Sequence, residues 1–552
     1  MPHSSLFRQL RRTFRMACYQ NLKADGGHGR PTLKGDRPPT KLPSRWSRRR
    51  FLKSMALAGG AAIATRIVAH PHLAWGTRTP QVAVIGAGIA GLNAAYQLKK
   101  AGLTATVYEA RHRVGGRIQS ATGVVGEGIV SDLGGHFINT DHLDMIALAE
   151  EFGINLFNLE EDAAGLPIPS TTYYFGGRSR SEQEVAELLR PLAEQIMEDA
   201  IRLDEDFDRV AVQLDRRSVA EYLDQHRDKI SDPFIRVLIE NTIRTEYGAE
   251  PKDSSALQLI FNLPIVGDDV EVLGASDEVF AVEGGAARIT DALANALTGQ
   301  IRLGKQLVKI QGLGQNGFRL DFANNETVRA DFVIVAIPLT TLRQVALRSS
   351  VPNNLRRFIR NVGLGSNEKI LAGYETKVWR RQDGFSQEVW TDLGFSQAWD
   401  GSQRQSDRDD GELTFYFGGD EVKAIQSGST SNQGQQQVRR LDDVVPGSQG
   451  AANGQFLRTA WTQDPFSQGG YTNFRPGQLT EFGEFLYIES DDPDERQDVN
   501  IRNLIFAGEH LSDAFYGFMN GGAETGRLAA NVIIRQVYGE QRAHKIQLPV
   551  AG

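Results

Sequence analysis

The chain has 552 residues, with 61 Lys and Arg against 68 Asp and Glu and a net charge of −7; this is long for one core and predicts two or more domains. Residues 1–74 carry a net +13 and the remainder −20, and so acidic a body argues against nucleic acid as a partner. The one cysteine, Cys18, lies in the basic prefix, which excludes disulfides, iron–sulfur clusters and cysteine nucleophiles from the body.

The prefix reads as an export leader. "SRRRFLK" at 47–53 is followed by an apolar, Ala/Gly-rich run to residue 69 and then a Pro/His stretch. A basic, then apolar, then small-residue order with the pair Arg48 and Arg49 predicts a twin-arginine signal within residues 1–75, cut near 69–76. The apolar run is short and contains Arg66, so it does not predict a transmembrane helix. The expected partner is the twin-arginine translocation machinery, and the expected location is the periplasm or the extracellular space.

Residues 82–110, "VAVIGAGIAGLNAAYQLKKAGLTATVYEA", organise the rest of the chain. A short apolar strand runs into Gly86, Gly88 and Gly91, then a helix with Ile89, Leu92, Ala95 and Tyr96 on its apolar side, then a second strand over 104–108. Gly86 makes the tight turn, Gly88 admits a pyrophosphate to the backbone, and Gly91 lets helix and sheet pack closely. The free N–H groups and positive end of the helix suit two phosphates. Glu109 closes the second strand at the spacing of a ribose-binding carboxylate, and its charge disfavours a 2′-phosphate.

Further on, Gly115 and Gly116 precede Arg117, a cation suited to phosphate, and "SDLGGHFIN" repeats the pair at Gly134 and Gly135 before a helix over 143–152. Residues 181–209 read as a helix that Pro191 kinks or divides, with further helices over 219–225 and 233–245. "IRLGKQLVKIQ", "FRLDFAN" and "FVIVAIP" read as strands, the last buried and parallel. Residues 366–379 and 413–417 alternate like half-buried strands. The polar stretches 401–411 and 426–434 read as mobile surface loops, the second feeding a helix through Val444. "LIFAGEH…GFMNGGAETGRLAANVI" gives a strand, a loop and a long helix. The histidines show no HxxxH or similar spacing, so the metal expectation is none.

In this order, "VIGAGIAGLNAA", "VYEARHRVGGR", "SDLGGHFIN", "FVIVAIP", "SNEKI", "WTQDPFSQGGYT" and "IFAGEH…GFMNGGAETG" resemble the flavin-dependent amine oxidase family, across roughly residues 80–540. The resemblance implies an α/β fold. A Rossmann-like FAD-binding domain would be built from 80–135, 275–345 and 495–540, and an inserted α+β substrate domain from 136–274 and 346–494. It implies FAD as cofactor. By the same resemblance Gly86, Gly88 and Gly91 hold the pyrophosphate, Glu109 the adenosine ribose, Arg117 a phosphate or its surroundings, and Val308 the adenine through its backbone. Gly134 and Gly135 run under the flavin ring, Glu509 binds a ribityl hydroxyl, and Phe518 and Met519 sit near the pyrimidine end.

Lys369 matches the family lysine that holds a water against flavin N5. Burial would lower its pKa toward neutrality; by pattern alone it would be a surface strand lysine. Tyr471 and Phe518 resemble the two aromatic faces around the substrate nitrogen, where a ring favours a cation or polarised amine. Gly470 stands where some members attach flavin through cysteine, so non-covalent FAD is expected unless a histidine serves. The implied reaction is hydride transfer from an amine to FAD, with imine hydrolysis to a carbonyl product and ammonia and with oxygen leaving as hydrogen peroxide. The implied substrate is a primary amine, a polyamine or an L-amino acid. Arg244 is a candidate for a substrate carboxylate, with a helix salt bridge as its alternative. An L-amino acid oxidase, one for basic amino acids included, is the close alternative. A desaturase or porphyrinogen-oxidase type of flavoenzyme and a non-catalytic flavin-binding protein are more distant ones. A homodimer is compatible with the sequence and not required by it.

Overall fold

The computed structural model describes residues 79–262 and 277–540, residues 383 and 491 excepted. The leader with Arg48 and Arg49, and Cys18, lie outside the described residues.

Runs of four apolar residues, such as Val82–Ile85 and Phe332–Val335, need cover on both faces and neighbours on both edges. Both strands are fully buried and lie side by side, Val82 opposite Phe332 and Ile85 opposite Val335. The six-stranded sheet runs Ile301–Arg302, Ala105–Tyr108, Val82–Ile85, Phe332–Val335, Leu504–Phe506, Asn500–Ile501. Its strands are parallel except for the last, antiparallel edge strand. Three distant stretches of chain therefore close one sheet. The helices Ile89–Lys100 and Met519–Tyr538 pack together over it, and at Gly526 any Cβ would lie 2.2 Å from the Ala90 carbonyl oxygen. A smaller four-stranded sheet, with Leu307–Gly312 inside it, flanks this layer.

A second, seven-stranded sheet also draws on separated stretches: Ala452–Arg458, Asn367–Tyr374, Gly411–Gly418, Gln397–Asp400, Glu388–Thr391, Thr171–Phe175 and Arg178–Arg180. One face packs Ile370, Ala372, Tyr374, Leu413, Phe415 and Phe417 against Val438 and Leu441 of the helix Thr430–Leu441. The other carries Lys369, Glu412 and Tyr416. The alternation read from sequence is real, but Asn367–Tyr374 and Gly411–Gly418 are buried at every position, not half-buried. Their polar face looks onto protein instead of water.

Three other local expectations are corrected. Of the two expectations at Pro191, division does not occur: the helix runs unbroken over Glu182–Glu205 from its Ser181 cap and breaks at Asp206. Leu189, Leu192, Ala193 and Ile196 around the proline are buried, and that packing outweighs one missing backbone donor. Residues 401–411 are not a free surface loop, because Gly401, Ser402, Gln403 and Arg404 are buried. Residues 426–434 are mostly helical instead: 426 ends the helix Asp420–Gln426, 427–429 make the connection, and 430–434 open the helix Thr430–Leu441, which Ser429 caps and which ends before Val444.

Candidate functional site

The carboxyl ends of Val82–Ile85, Phe332–Val335 and Leu504–Phe506 open onto one groove, the place where a parallel sheet leaves its crevice. Gly86, Gly88, Glu109, Arg117, Val308, Tyr471, Glu509, Phe518 and Met519 all line it. Two helices start there, after Gly88 and after Phe518. Neither has a capping side chain or an acidic residue in its first turn, so both offer backbone donors and a positive dipole end to an anion. A Cβ on Gly88 would have the Gly116 Cα, 4.0 Å away, as its nearest neighbour, so the space above this backbone is open. Gly86 is the opposite case. Its φ is +104°, and a Cβ there would come within 2.5 Å of the Ala336 carbonyl oxygen. Gly91 is not in the groove wall; a Cβ on it would strike the Gly86 carbonyl oxygen at 2.0 Å, which is the close helix–strand packing its position predicts.

Glu109 is held at the groove by the Ala87 N–H at 2.7 Å and the Arg111 N–H at 2.8 Å, leaving lone pairs for ribose hydroxyls. Val308 is 38 % exposed on the same wall, unusual for valine and suited to cover by a flat ring. Arg117 donates to Glu509 at 2.8 Å and to the Gly470 carbonyl at 2.7 Å. Its cation thus serves a carboxylate and a loop in this structure instead of pointing free into the groove. Burial opposes ionisation of Glu509, but Arg117 and His510 outweigh it and hold the carboxyl below its ordinary value. Its second oxygen accepts the Gly517 N–H at 2.7 Å. These residues fit a dinucleotide with a polar ribityl chain: donors for the diphosphate, a carboxylate at each sugar-like end, and a sheet edge beneath.

Lys369 is 2 % exposed. Its Nζ donates to the carbonyls of Asp132 at 2.8 Å and Gly134 at 2.9 Å and lies 5.3 Å from the Trp399 ring centre. Burial lowers its pKa to about 8, although Asp132 and Glu412 pull the other way. Gly134 has no room for a side chain, since a Cβ would lie 1.9 Å from the Arg117 carbonyl oxygen, and the Gly135 N–H donates to that same oxygen at 3.2 Å. Neither glycine nor Lys369 lines the groove directly; they form the layer joined to it through Arg117. Tyr471 is buried, its hydroxyl bonded to the Thr245 carbonyl and, at 2.8 Å, to the Tyr416 hydroxyl. Phe518 packs edge-on against His142, with ring centres 4.9 Å apart.

Arg244 is not placed as a carboxylate receptor. Its guanidinium is spent on Glu250, at 2.9 Å from Nη2 and 3.1 Å from Nε, and on Asn241. It is the helix salt bridge of the two alternatives.

Sequence reasoning missed two groups. Arg111 binds Asp464 bidentately at 2.7 and 3.1 Å and Ser467 at 2.9 Å; it stands in the "EARHRVGGR" run, and a second arginine there was the available signal. Behind Lys369, Asp132 pairs with Arg404 at 2.5 Å, and His136 stacks on Phe137. Nothing local marks Arg404, which sits in a polar stretch.

Among the described residues no three His, Cys, Asp or Glu side chains are arranged to hold a metal ion, and no helix is long and apolar enough to cross a membrane. Residues 89–534 match the family model of flavin containing amine oxidoreductase. The chain is 25 % identical over 474 residues to amine oxidase [flavin-containing] B of Sus scrofa, covering 82 % of this chain and 86 % of that one. Among solved structures it is similar to cyclohexylamine oxidase from Brevibacterium oxydans IH-35A, with a TM-score of 0.69, 24 % identity, and coverage of 83 % of this chain and 100 % of that one. Wild-type putrescine oxidase bound to putrescine superimposes with a TM-score of 0.66 at 22 % identity, again over 83 % of this chain and 100 % of that one.

Proposed function

We propose, for a chain that belongs to the flavin-containing amine oxidoreductase family, that the substrate is an amine without a carboxylate and that molecular oxygen removes the electrons as hydrogen peroxide. The protein is an FAD-dependent enzyme of amine oxidation. Bound FAD supplies the hydride acceptor. The two helix starts and Gly88 hold its diphosphate, Glu109 a ribose, and Glu509 a ribityl hydroxyl. Tyr471 and Phe518 orient the substrate nitrogen, and Lys369 holds a water at the reacting end by donating an N–H to its oxygen. Gly470 offers no thiol to a flavin, which supports non-covalent binding; acid precipitation would then leave the yellow colour in solution.

The observation that carries the substrate class is the commitment of the arginines. A carboxylate calls for a bidentate cation, and Arg111, Arg117, Arg244 and Arg404 are each bonded to a protein carboxylate. The solved relatives named for putrescine and for cyclohexylamine bear on the same choice, since neither compound has a carboxylate.

The test is anaerobic mixing of the purified yellow protein with primary amines, diamines and L-amino acids. Bleaching by amines alone is the expected result, and bleaching by an L-amino acid at a comparable rate would replace this reading with an amino acid oxidase. Readmitted oxygen should give one peroxide per flavin; its absence would point to another acceptor. Export by the twin-arginine route belongs to the same proposal on the strength of Arg48 and Arg49, and Arg48→Lys with Arg49→Lys should retain the protein in the cytoplasm.

A further inference from the structure

The polar stretch 401–411 does something its composition does not announce. It turns through Gln403–Gln405 and drives Arg404, with 1 % of its side chain exposed, onto Asp132, whose side chain is wholly buried. Arg404 Nη2 also donates to the Val130 carbonyl at 2.9 Å. The Asp132 carboxylate is bonded further by the Ser120 hydroxyl at 2.5 Å and the Ala286 N–H at 3.0 Å. Its backbone carbonyl, meanwhile, is one of the two oxygens that Lys369 Nζ binds. One residue therefore meets Arg404 with its side chain and Lys369 with its main chain.

We infer that the Arg404–Asp132 pair is a positioning device for Lys369: it fixes the carbonyl that aims the ammonium and cancels the carboxylate charge lying beside it. This rests on the reading of Lys369 as the group that holds water at the reacting end. An isolated ammonium beside an uncompensated buried carboxylate would be held charged and turned toward that carboxylate. Arg404 satisfies the carboxylate instead, leaving Lys369 to the carbonyls. The other charged and titratable groups facing Lys369 are Glu412, Glu278 and His136. Glu412 is occupied by the Ser131 and Thr414 hydroxyls and is pushed up by burial. Burial pushes the His136 imidazole well below its ordinary value, so it remains neutral, and Asp132 is held down, to about 2, by Arg404 acting against burial.

The experiment follows the absorbance of the FAD holoenzyme through alkaline pH, with Lys369→Met assigning the lysine's ionisation. Arg404→Met should raise that ionisation by at least about one pH unit, Asp132→Asn should lower it by a similar amount, and the double variant should return it toward the wild-type position. Arg404→Lys, which keeps the charge, should stay close to wild type. Asp132→Asn is isosteric and keeps its bonds from Ser120 and Ala286, so it carries the test where Arg404→Met fails to fold. An ionisation unmoved in either folded single variant, or no Lys369-dependent ionisation in the wild type, overturns the inference. A protein that no amine bleaches, yet whose ionisation moves as described, would remove the amine reading and leave the pair's role standing.

Discussion

At Tyr471 the ring and the hydroxyl have separate tasks. The ring lines the groove, while the hydroxyl points the other way, to Tyr416 and the Thr245 carbonyl. Burial pushes the phenol well above its ordinary pKa, so it stays protonated and keeps donating. Tyr471→Phe therefore keeps the aromatic face and removes two buried hydrogen bonds, one to the Tyr416 hydroxyl and one to the Thr245 carbonyl, which retains the Asn367 Nδ2 donor at 3.2 Å, a loss of about 1–3 kcal/mol. The expected result is a lower thermal midpoint with flavin reduction by amine at the wild-type rate. A slowed reduction at unchanged stability would mean that the hydroxyl, not the ring, serves the chemistry.

At the scale of an element, the segment 461–471 acts as a strap over the cofactor groove. Pro465, Phe466 and Ser467 line the groove, the Thr340 hydroxyl donates to the Ser467 carbonyl at 2.7 Å, and Arg111 fastens Asp464 while stacking 5.2 Å from the centre of the Phe466 ring. Asp464→Asn keeps the shape and removes the charge from a bidentate pair. FAD should then dissociate about tenfold more readily, the equivalent of about 1.4 kcal/mol, measured by fluorescence of released flavin. Unchanged affinity would make the clasp a surface ion pair only. What the sequence discloses at this scale divides by range. Gly86, Gly88 and Gly91 are legible because turn, approach and packing are decided within ten residues. Lys369 is legible only through the "SNEKI" match, since its burial comes from covering by the segment around Asp132. Arg404 and the inward face of Gly411–Gly418 are not legible, because a polar stretch that meets buried charge and one that meets water read alike.

At the scale of the molecule, Arg527 of the C-terminal helix ties together distant stretches of chain through an ion network with Asp144 of Leu143–Glu151 and Glu489. Partly buried Glu524, one turn earlier, accepts the Ser512 hydroxyl at 2.5 Å. Burial first, and then Asp144, push its pKa up to about 8 from the ordinary 4.5. The folded protein therefore keeps a proton there that the unfolded chain releases above about pH 4.5. That contribution to stability is complete below pH 4.5 and is lost as pH rises through about 8. His510, held neutral by burial with its pKa lowered to about 4, acts with the opposite sign, its contribution being lost as pH falls from about 6.5 toward 4. The slope of the wild type alone mixes these with other buried groups, among them Glu421, which burial pushes up to about 7, and the comparison with Glu524→Gln isolates the first. The variant keeps an acceptor for Ser512 and has no proton to lose. Its thermal midpoint, relative to wild type, should climb steadily from pH 5 to pH 8; a constant difference across that range would show that Glu524 is ionised in the folded protein, with Arg527 shared among three carboxylates at the seam.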